Sequence, residues 1–435
     1  MKQKTLLVLS QVYVPDPASV GQHMHDAAAE VAKRGHRVVT LCSARGYDDP
    51  TRVYPARETR DGVDIQRMPL SSFGKKSIAT RLLGQFLFLA QITVRGLFTK
   101  NLGAILVSTS PPMCSVAALV ISWLRGVPIT YWAMDLNPDQ VVAMGIFKEN
   151  SPPVKAFNVL NRLILGRAHS VVALDRFMAE RLNKKREVAA KLAVFPPWPH
   201  DDHIDVVEHR DNEFRREHRL GGGEPGSKFV VMYSGNHSPA NPLDTVLGAA
   251  KHLSEREDIV FMFIGGGQAK KDVEKAMADG AKNIVSLPYQ PIDRLKYSLS
   301  AADIHVVSVG NEVVGIVHPC KVYGSMSVAR PVLTFGPVPC HISDLVDAYG
   351  IGRHHAHGDV DGAVRSIEEL ASMRAEERAE MGRRARRAVQ ERLGKHVLCA
   401  RFADLVEAAM NRQAPPLYYE PRAAQGGGVR GTSAA

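Results

Sequence analysis

Glycine turns after apolar runs are the first residues in this sequence that suggest chemistry. One run ends in Gly235 and Asn236, and a second ends in Gly265, Gly266 and Gly267, directly before a helical stretch. Glycines at the end of a strand let a diphosphate approach backbone N–H groups, and a following helix N-terminus adds a favourable dipole. Neither turn has the GxGxxG spacing of dinucleotide-binding proteins. Each turn taken alone could equally be a simple connection between a strand and a helix. Further residues are therefore needed to support a phosphate-binding site.

The densest group of candidate residues lies at 313–332, a segment that includes Pro319, Lys321 and Tyr323. Apolar residues, glycines and prolines surround Lys321. Such neighbours disfavour the alternative of a solvated surface lysine, so the segment predicts a cation held in a fixed position.

The elements that position these residues repeat along the chain. At 435 residues the chain is too long for one hydrophobic core, so two domains facing a cleft are expected. Both halves alternate β-rich runs with helical stretches, which predicts two doubly wound, Rossmann-like α/β domains with parallel sheets and with ligands at the carboxyl ends of the strands. The predicted parts are a domain at 1–200, a linker at 201–227, a domain at 228–395, a helix at 396–411 that packs back on the first domain, and a disordered tail at 412–435.

Composition and charge restrict the class of protein. With 45% apolar and 23% charged residues, the chain has the composition of a soluble globular protein. Its five cysteines form no CxxC pair, which argues against a disulfide framework and a zinc site. Residues 1–200 carry 26 Lys and Arg against 14 Asp and Glu, while aromatic residues are only 6% of the chain, so the sequence favours anionic lipid or phosphate over nucleic acid. The first apolar run is too short for a signal peptide, which predicts a cytoplasmic protein.

In their order along the chain, the two glycine turns and the segment 313–332 resemble the donor domain of the retaining GT-B glycosyltransferases of family 4. That family carries two glutamates with seven residues between them, and these positions hold Ile316 and Gly324 here. The family also carries an Arg and a Lys after the first glycine turn, where this sequence has Asn236 and Asn241. All four family residues are therefore replaced.

The remaining motifs resemble a subgroup that acts in colanic-acid and O-antigen synthesis. Its Pro-Ser-Lys-x-Tyr-Gly string matches Pro319–Gly324, with Cys320 in place of Ser. Its Asp-Leu-Trp-Pro-Asp string matches Asp135–Asp139, with Asn137 in place of Trp, and Ser108–Pro112 matches as well. The resemblance covers about residues 4–410.

The resemblance implies transfer of a sugar, with retention, from a nucleotide diphosphate for which UDP is the expected nucleotide. Such a reaction must stabilise the departing diphosphate and an oxocarbenium-like centre, and Lys321 is the cation expected to do so. Asp135 is expected to orient a sugar hydroxyl or to accept the acceptor's proton, with a helix cap as the alternative. The residues expected to bind the donor are Gly21, Gly235, Asn236, Gly265, Gly266, Gly267, Gly315, Ile316, Val317, Pro319 and Tyr323. Those expected to bind the acceptor are Tyr13, Ser19 and Ser110.

No metal ion and no cofactor is expected, because the chain lacks an Asp-x-Asp string and the family needs no metal. His354, His355 and His357 are close enough in sequence to suggest a metal cluster. No carboxylate or Cys spacing completes such a site, so a solvated surface loop is expected there.

The stretch 75–100 combines apolar residues with flanking cations. It is too interrupted to span a bilayer but suited to lie on one, and the alternative is a core helix of the first domain. An anionic membrane surface and a lipid-linked saccharide acceptor are therefore the expected partners, at the cytoplasmic face. The predicted function is a glycosyltransferase of surface polysaccharide synthesis. The alternatives are a UDP-sugar epimerase of the same fold and a catalytically silent scaffold in a polysaccharide-assembly complex.

Overall fold

A computed structural model describes residues 3–16, 18–46, 49, 51–71, 78–199 and 205–418. Among these residues the N-terminal domain contains an eight-stranded sheet in the order β3-β4-β2-β1-β5-β6-β7-β8. Its strands are β1 (Thr5–Leu9), β2 (Arg37–Ser43), β3 (Arg57–Arg60), β4 (Val63–Met68), β5 (Leu102–Ser108), β6 (Ile129–Trp132), β7 (Ser170–Ala173) and β8 (Leu192–Val194). Its helices are α1 (Ser19–Lys33), α2 (Ile78–Leu97), α3 (Cys114–Arg125), α4 (Asp139–Ala143), α5 (Pro152–Arg167) and α6 (Arg176–Lys185).

The central strands of this sheet are apolar along their whole length because helices cover both of their faces. All neighbouring strands pair in parallel except β3, which runs antiparallel to β4 at the edge. The sequence prediction missed β3, whose residues Arg-Glu-Thr-Arg are polar and largely exposed. An edge strand of this kind carries no apolar pattern that would reveal it.

The second domain contains a six-stranded parallel sheet in the order β11-β10-β9-β12-β13-β14. Its strands are β9 (Phe229–Ser234), β10 (Ile259–Ile264), β11 (Ile284–Leu287), β12 (Ile304–Ser308), β13 (Val332–Phe335) and β14 (Gly352–His355). Its helices are α7 (Glu213–Glu217), α8 (Asp244–His252), α9 (Lys270–Ala278), α10 (Leu295–Ser300), α11 (Lys321–Ser327), α12 (His341–Tyr349), α13 (Val360–Ser372) and α14 (Ala375–Ala388). The two doubly wound α/β domains that the sequence predicted are therefore present.

Three histidines predicted to lie on a solvated loop are part of the fold instead. His354 and His355 lie on β14, where His354 bonds Thr334 at 2.7 Å and His355 bonds Asp359 at 2.8 Å. His357 Nε2 lies 2.8 Å from the carbonyl of Val309. These side chains hold neighbouring elements together.

The segment predicted as a linker is partly built into the second domain. Residues 201–204 lie outside the described part of the chain. Beyond them, Phe214 and Leu220 are buried against β9 and β10, and Arg215, only 1% exposed, donates to the carbonyls of Ala301 and Lys228. The second core therefore begins well before residue 228.

The last helix, α15 (Lys395–Asn411), returns to the N-terminal domain. Phe402 packs against Trp132 with ring centroids 4.4 Å apart, and Lys395 pairs with Asp26 at 2.7 Å. The chain continues along the same domain to Tyr418, whose ring lies 5.2 Å from that of Phe195. The part of the predicted tail at 419–435 lies outside the described residues.

In the predicted membrane segment 75–100, residues 78–97 form α2, residues 98–100 follow it, and residues 75–77 lie outside the described part of the chain. Phe86 is 68% exposed, whereas Phe88 is fully buried in the core. Phe88 therefore belongs to the core, which the sequence analysis allowed as the alternative, because one face of the helix must pack on the sheet; Phe86 lies on the exposed face. Among the described residues, no helix combines the length and the apolar character needed to cross a membrane.

Candidate active site

The carboxyl ends of the two sheets face each other across a cleft that contains a cavity of about 280 Å³. The first domain contributes Ser19, His23 and Trp198 to its wall. The second domain contributes the loop after β9, the loop after β11 and the start of α11. The lining residues include Gly235, Tyr289, Gln290, Cys320, Lys321, Tyr323 and Gly324. In open α/β sheets, this edge is where ligands bind.

Lys321 is the first residue of α11 and lies at this cavity. Burial lowers the pKa of its ammonium group from about 10.5 to about 8. Its Nζ lies 5.2 Å from the centre of the Tyr233 ring, which favours the charged form by a cation–π contact. A side chain at position 235 would meet the Lys321 Cε at 2.6 Å, so the glycine there leaves the room that the lysine occupies.

The glycine turns do not offer all the backbone donors that the sequence suggested. The N–H of Gly235 donates to Ile264 at 2.8 Å, and that of Gly265 donates to Leu287 at 2.9 Å. Both groups are thus committed to the sheet. Gly266 and Gly267 lie past the end of β10, where Gly266 accepts the N–H of His237 at 2.7 Å. The exposed Asn236 lies with its side-chain oxygen beside Gly267.

The segment Gly315–Val317 lies against the first domain. Gly315 has φ of 70°, and a side chain there would meet the backbone of Phe177 at 2.6 Å. The carbonyl of the buried Ile316 accepts the N–H of Leu136, while the N–H groups of Ile316 and Val317 both donate to Val313. These N–H groups are engaged within the fold, which corrects the expectation that they face the donor diphosphate. This segment is an interdomain contact.

Asp135 follows β6, and the next residue, Leu136, contacts the second domain through the carbonyl of Ile316. Burial raises the pKa of the Cys320 thiol, and the nearby charge of Asp135 adds to this effect. Burial raises the pKa of Asp135 above its ordinary value. Within the described part of the chain, its carboxylate oxygens accept no hydrogen bond. Its backbone N–H instead bonds the Thr109 hydroxyl at 3.1 Å. The helix cap that the sequence allowed as an alternative is therefore not made.

A buried hydrogen-bonded chain lies beneath Lys321 and joins the domains. His318 Nδ1 lies 2.7 Å from an Asp175 oxygen, and His318 Nε2 lies 2.8 Å from the Tyr323 hydroxyl. That hydroxyl lies 2.7 Å from His341 Nε2. Asp175, His318 and His341 bring three potential metal ligands within 4.8 Å of one another. Because they already bond one another through Tyr323, their arrangement fits a hydrogen-bond chain rather than an ion site.

The predicted acceptor residues separate in the structure. Ser19 lines the cavity and its hydroxyl lies 3.2 Å from His23 Nδ1. Tyr13 is only 3% exposed and its hydroxyl bonds His25 at 3.2 Å, so its side chain packs inside the domain and the acceptor assignment is corrected. Gly21 packs on the Tyr13 backbone, where a side chain would lie 3.0 Å from Cα.

Ser110 and Pro319 do not line the cavity. The Ser110 carbonyl accepts the N–H of Gln11 at 2.9 Å, which joins the loops after β1 and β5. Pro319 is buried between His318 and Cys320. Pro319 directly precedes Cys320 and Lys321 of the cavity wall, whereas the loop that contains Ser110 contributes no residue to that wall.

Sequence reasoning missed several residues of the cavity wall. Tyr289, which is 59% exposed, and Gln290 come from the loop after β11, and His23 and Trp198 come from distant parts of the first domain. His23 Nε2 lies 2.9 Å from the Trp198 carbonyl. The cysteine that replaces the subgroup's serine, Cys320, is exposed to the cavity. Of these residues only Cys320 stands in a motif, whereas Tyr289, Gln290, His23 and Trp198 carry no signal in the sequence.

Comparison with known families agrees with this architecture. The Glycosyl transferase 4-like domain family matches residues 19–198, and the Glycosyl transferases group 1 family matches residues 214–388. Together they match most of the chain and both walls of the cleft. The chain is a family 4 glycosyltransferase. The expected family and enzyme class are thereby confirmed.

Two relatives of this glycosyltransferase match it over most of their length. The probable glycosyltransferase WbjE of Pseudomonas aeruginosa is 23% identical over 411 residues, which cover 93% of this chain and 98% of WbjE. The putative colanic acid biosynthesis glycosyl transferase WcaI of Escherichia coli K12 is 22% identical over 355 residues, which cover 79% of this chain and 86% of WcaI. The likeness to a colanic-acid protein agrees with the motifs at Asp135–Asp139 and Pro319–Gly324.

A solved structure shares the fold of this glycosyltransferase. HepE of Anabaena, crystallised in complex with UDP-glucose, superposes with a TM-score of 0.66 at 14% identity, covering 93% of this chain and 99% of that one. The match spans both domains. The fold is GT-B, as the sequence predicted.

Proposed function

We propose that this glycosyltransferase transfers a sugar, with retention, from a UDP-sugar to a lipid-linked saccharide in surface polysaccharide synthesis. The observation that carries the proposal is the cavity between the domains, with the Lys321 ammonium group on its wall and glycine turns beside it. The colanic-acid relative and the UDP-glucose complex of the shared fold support the choice of pathway class and donor.

The proposed donor diphosphate lies beside Lys321. As the bond between the sugar and the diphosphate breaks, negative charge grows on the leaving phosphate, and a fixed cation in a water-poor cavity stabilises it. The N-terminus of α9 follows Gly265–Gly267 and adds a weaker favourable dipole. No resident metal is part of the proposal, because Lys321 supplies the positive charge.

The acceptor hydroxyl attacks from the side of the first domain. Asp135 is the carboxylate proposed to orient that hydroxyl or take its proton, since it lies close to Cys320 and accepts no hydrogen bond from the described residues. Its raised pKa makes it a better proton acceptor than an ordinary aspartate. The aromatic wall at Trp198 and Tyr289 provides flat apolar surface for a sugar ring or a base.

A broad apolar surface on α2, α3 and α5 is proposed to hold the enzyme at the cytoplasmic face of the membrane. Phe86, Phe98, Trp123 and Leu124 are between 56% and 81% exposed. The Arg125 side chain bonds the carbonyl of Thr99, so the C-terminal ends of α2 and α3 lie together. Exposed cations border the proposed surface: Arg95, Lys100, Arg125, Lys155 and Arg162. This combination suits an anionic bilayer that carries a lipid-linked acceptor.

The proposal is tested by incubating the enzyme with UDP-sugars, with and without a detergent extract of lipid-linked saccharides, and by following both products by NMR. Transfer with retention predicts UDP release that depends on the extract and a product with the anomeric configuration of the donor. A new sugar epimer formed without extract would establish the epimerase instead. Binding of no UDP-sugar would overturn the donor assignment. The Lys321→Ala variant should lose transfer, whereas Lys282→Ala, which removes an exposed lysine of the same domain, should not.

A further inference from the structure

The chain Asp175–His318–Tyr323–His341 forms a continuous link across the domain boundary, here named the interdomain latch. Asp175 belongs to the first domain, at the start of α6, and the other three residues belong to the second. Asp175 and His318 are 3% and 6% exposed, and Tyr323 is 1% exposed. These three residues are thus almost sealed from solvent, whereas His341 is half-buried. Of the four residues, Tyr323 also lines the cavity.

The Asp175 end of the latch holds a buried charge. Burial raises the pKa of this carboxyl group, but the hydrogen bond and the charge of His318 more than offset the effect and bring the pKa to about 2. One carboxylate oxygen accepts the Met178 N–H at 2.8 Å, which caps α6, and the other bonds His318. A buried anion without its partner is strongly destabilised. The carboxylate therefore holds His318 firmly against the first domain.

The other end of the latch is neutral. Burial, together with the nearby His318, lowers the pKa of His341 to about 3, and burial raises that of Tyr323 well above its ordinary value. A tyrosine hydroxyl carries one proton, so Tyr323 donates to one imidazole and accepts from the other. Both rings and the hydroxyl are thereby fixed relative to one another.

Lys321 lies between two members of the latch, three residues after His318 and two before Tyr323. The same segment touches α6 again at Gly315, whose Cα abuts Phe177, and the Val314 carbonyl accepts a hydrogen bond from Arg181 at 2.8 Å. A displacement of α6 relative to the second domain therefore acts on the loop that presents Lys321.

We propose that the latch is a positioning device: Asp175 and His318, through Tyr323, hold residues 313–323 so that the Lys321 ammonium group faces the leaving diphosphate. The expected effect of the latch on turnover rests on the proposed function. These residues do not contact the donor through their hydrogen-bonding groups, since the latch occupies those groups. A change of about 1 Å in the position of a catalytic group lowers a rate by about 100-fold.

The test compares Asp175→Asn, His318→Asn and Tyr323→Phe with Arg176→Gln. Arg176, the residue after Asp175, pairs with Asp344 of α12 across the same boundary at 2.6 Å, but the pair is partly exposed and lies outside the latch. We expect kcat to fall by about 100-fold in Asp175→Asn and His318→Asn, with the KM for the UDP-sugar changed by less than about threefold. Arg176→Gln should keep kcat within about threefold of the wild type.

Hydrogen–deuterium exchange provides a readout that does not depend on activity. The amides of 313–323 should exchange faster in Asp175→Asn than in the wild type or in Arg176→Gln. Latch variants with the exchange rates and the kcat of the wild type would overturn the proposal. An equally large loss of kcat in Arg176→Gln would overturn it as well, because it would indicate a general effect of the domain interface. If the wild type neither binds nor transfers UDP-sugars, the proposed function is wrong. The hydrogen–deuterium exchange of residues 313–323 still shows in that case whether the latch holds this segment in place. If Asp175→Asn and His318→Asn do not fold, Tyr323→Phe takes their place, because it removes a single oxygen atom from the latch. The same two measurements, kcat and the exchange of the amides of 313–323, then test the proposal.

Discussion

Replacing Lys321 with methionine should make the enzyme more stable and far less active. The side chain is buried at the cleft, and its pKa falls from about 10.5 to about 8 on burial. The folded state therefore binds the proton less tightly than the unfolded chain does. Methionine keeps most of the length of the side chain but removes the charge that is costly to bury, together with its cation–π contact with Tyr233.

The magnitude follows from the size of the pKa shift. Each pKa unit corresponds to 1.36 kcal/mol, so a fall from about 10.5 to about 8 limits the gain in the free energy of unfolding to about 3 kcal/mol. Partial access of solvent through the cavity reduces the expected gain to between about 1 and 3 kcal/mol. The gain is complete below pH 8 and disappears as the pH rises through 10.5, where lysine is neutral in both states. Turnover should fall by about 100- to 1000-fold because the cation facing the leaving group is lost.

The measurements are urea unfolding between pH 6.5 and 10.5 and transfer kinetics at saturating donor. Lys270→Met is the matched control, because the Lys270 ammonium group bonds the carbonyls of Gly265 and Leu287 at 2.8 and 3.0 Å. Loss of that structural cation should lower stability. A Lys321→Met variant that unfolds more easily than the wild type at pH 7, or that turns over at a near-normal rate, would refute this account of Lys321.

Three further predictions concern the metal, the membrane surface and Asp135. Transfer should persist in EDTA, and restoration of lost activity by magnesium or manganese would contradict a diphosphate stabilised by Lys321. Phe86→Ser should weaken sedimentation with anionic liposomes without loss of stability. Phe88→Ser should instead lower the free energy of unfolding by about 3 to 5 kcal/mol. If Phe86→Ser binds the liposomes as well as the wild type does at low and at high salt, Phe86 takes no part in membrane binding. Activity should decline on the acid side as Asp135 takes up a proton, above the usual pH range for aspartate, and an Asp135→Asn variant with an unchanged pH profile would exclude that carboxylate.

Most of the fold was predictable because the strands of a parallel sheet covered on both faces are apolar along their whole length. Strands such as β9 and β10 therefore stand out in the sequence. β14 does not, since its residues Gly-Arg-His-His are polar, and its place in the sheet depends on pairing with β13. The roles of His354 and His355 could not be predicted from the sequence either, because their partners Thr334 and Asp359 belong to other elements.

The site was predictable only in part. Lys321 and Ser19 stand in recognisable positions after strands, and the structure brings both to one cavity. Tyr13 follows a strand as well, yet its ring turns into the core toward His25. A motif fixes where a residue occurs in the chain, but the direction of its side chain depends on the space that its neighbours leave.

The amino-acid sequence by itself determined the two α/β domains, the family and the order of the loops that reach the cleft, because these follow from local apolar patterns and short motifs. Tertiary structure alone decided which groups meet there. Asp175 and His318 are 143 residues apart in the chain and 2.7 Å apart in the fold. The sequence around Asp175 does not indicate His318 as its partner, nor the reverse. A hydrogen bond across a domain boundary produces no periodic pattern in the sequence. Its strength arises only when both domains exclude water from it.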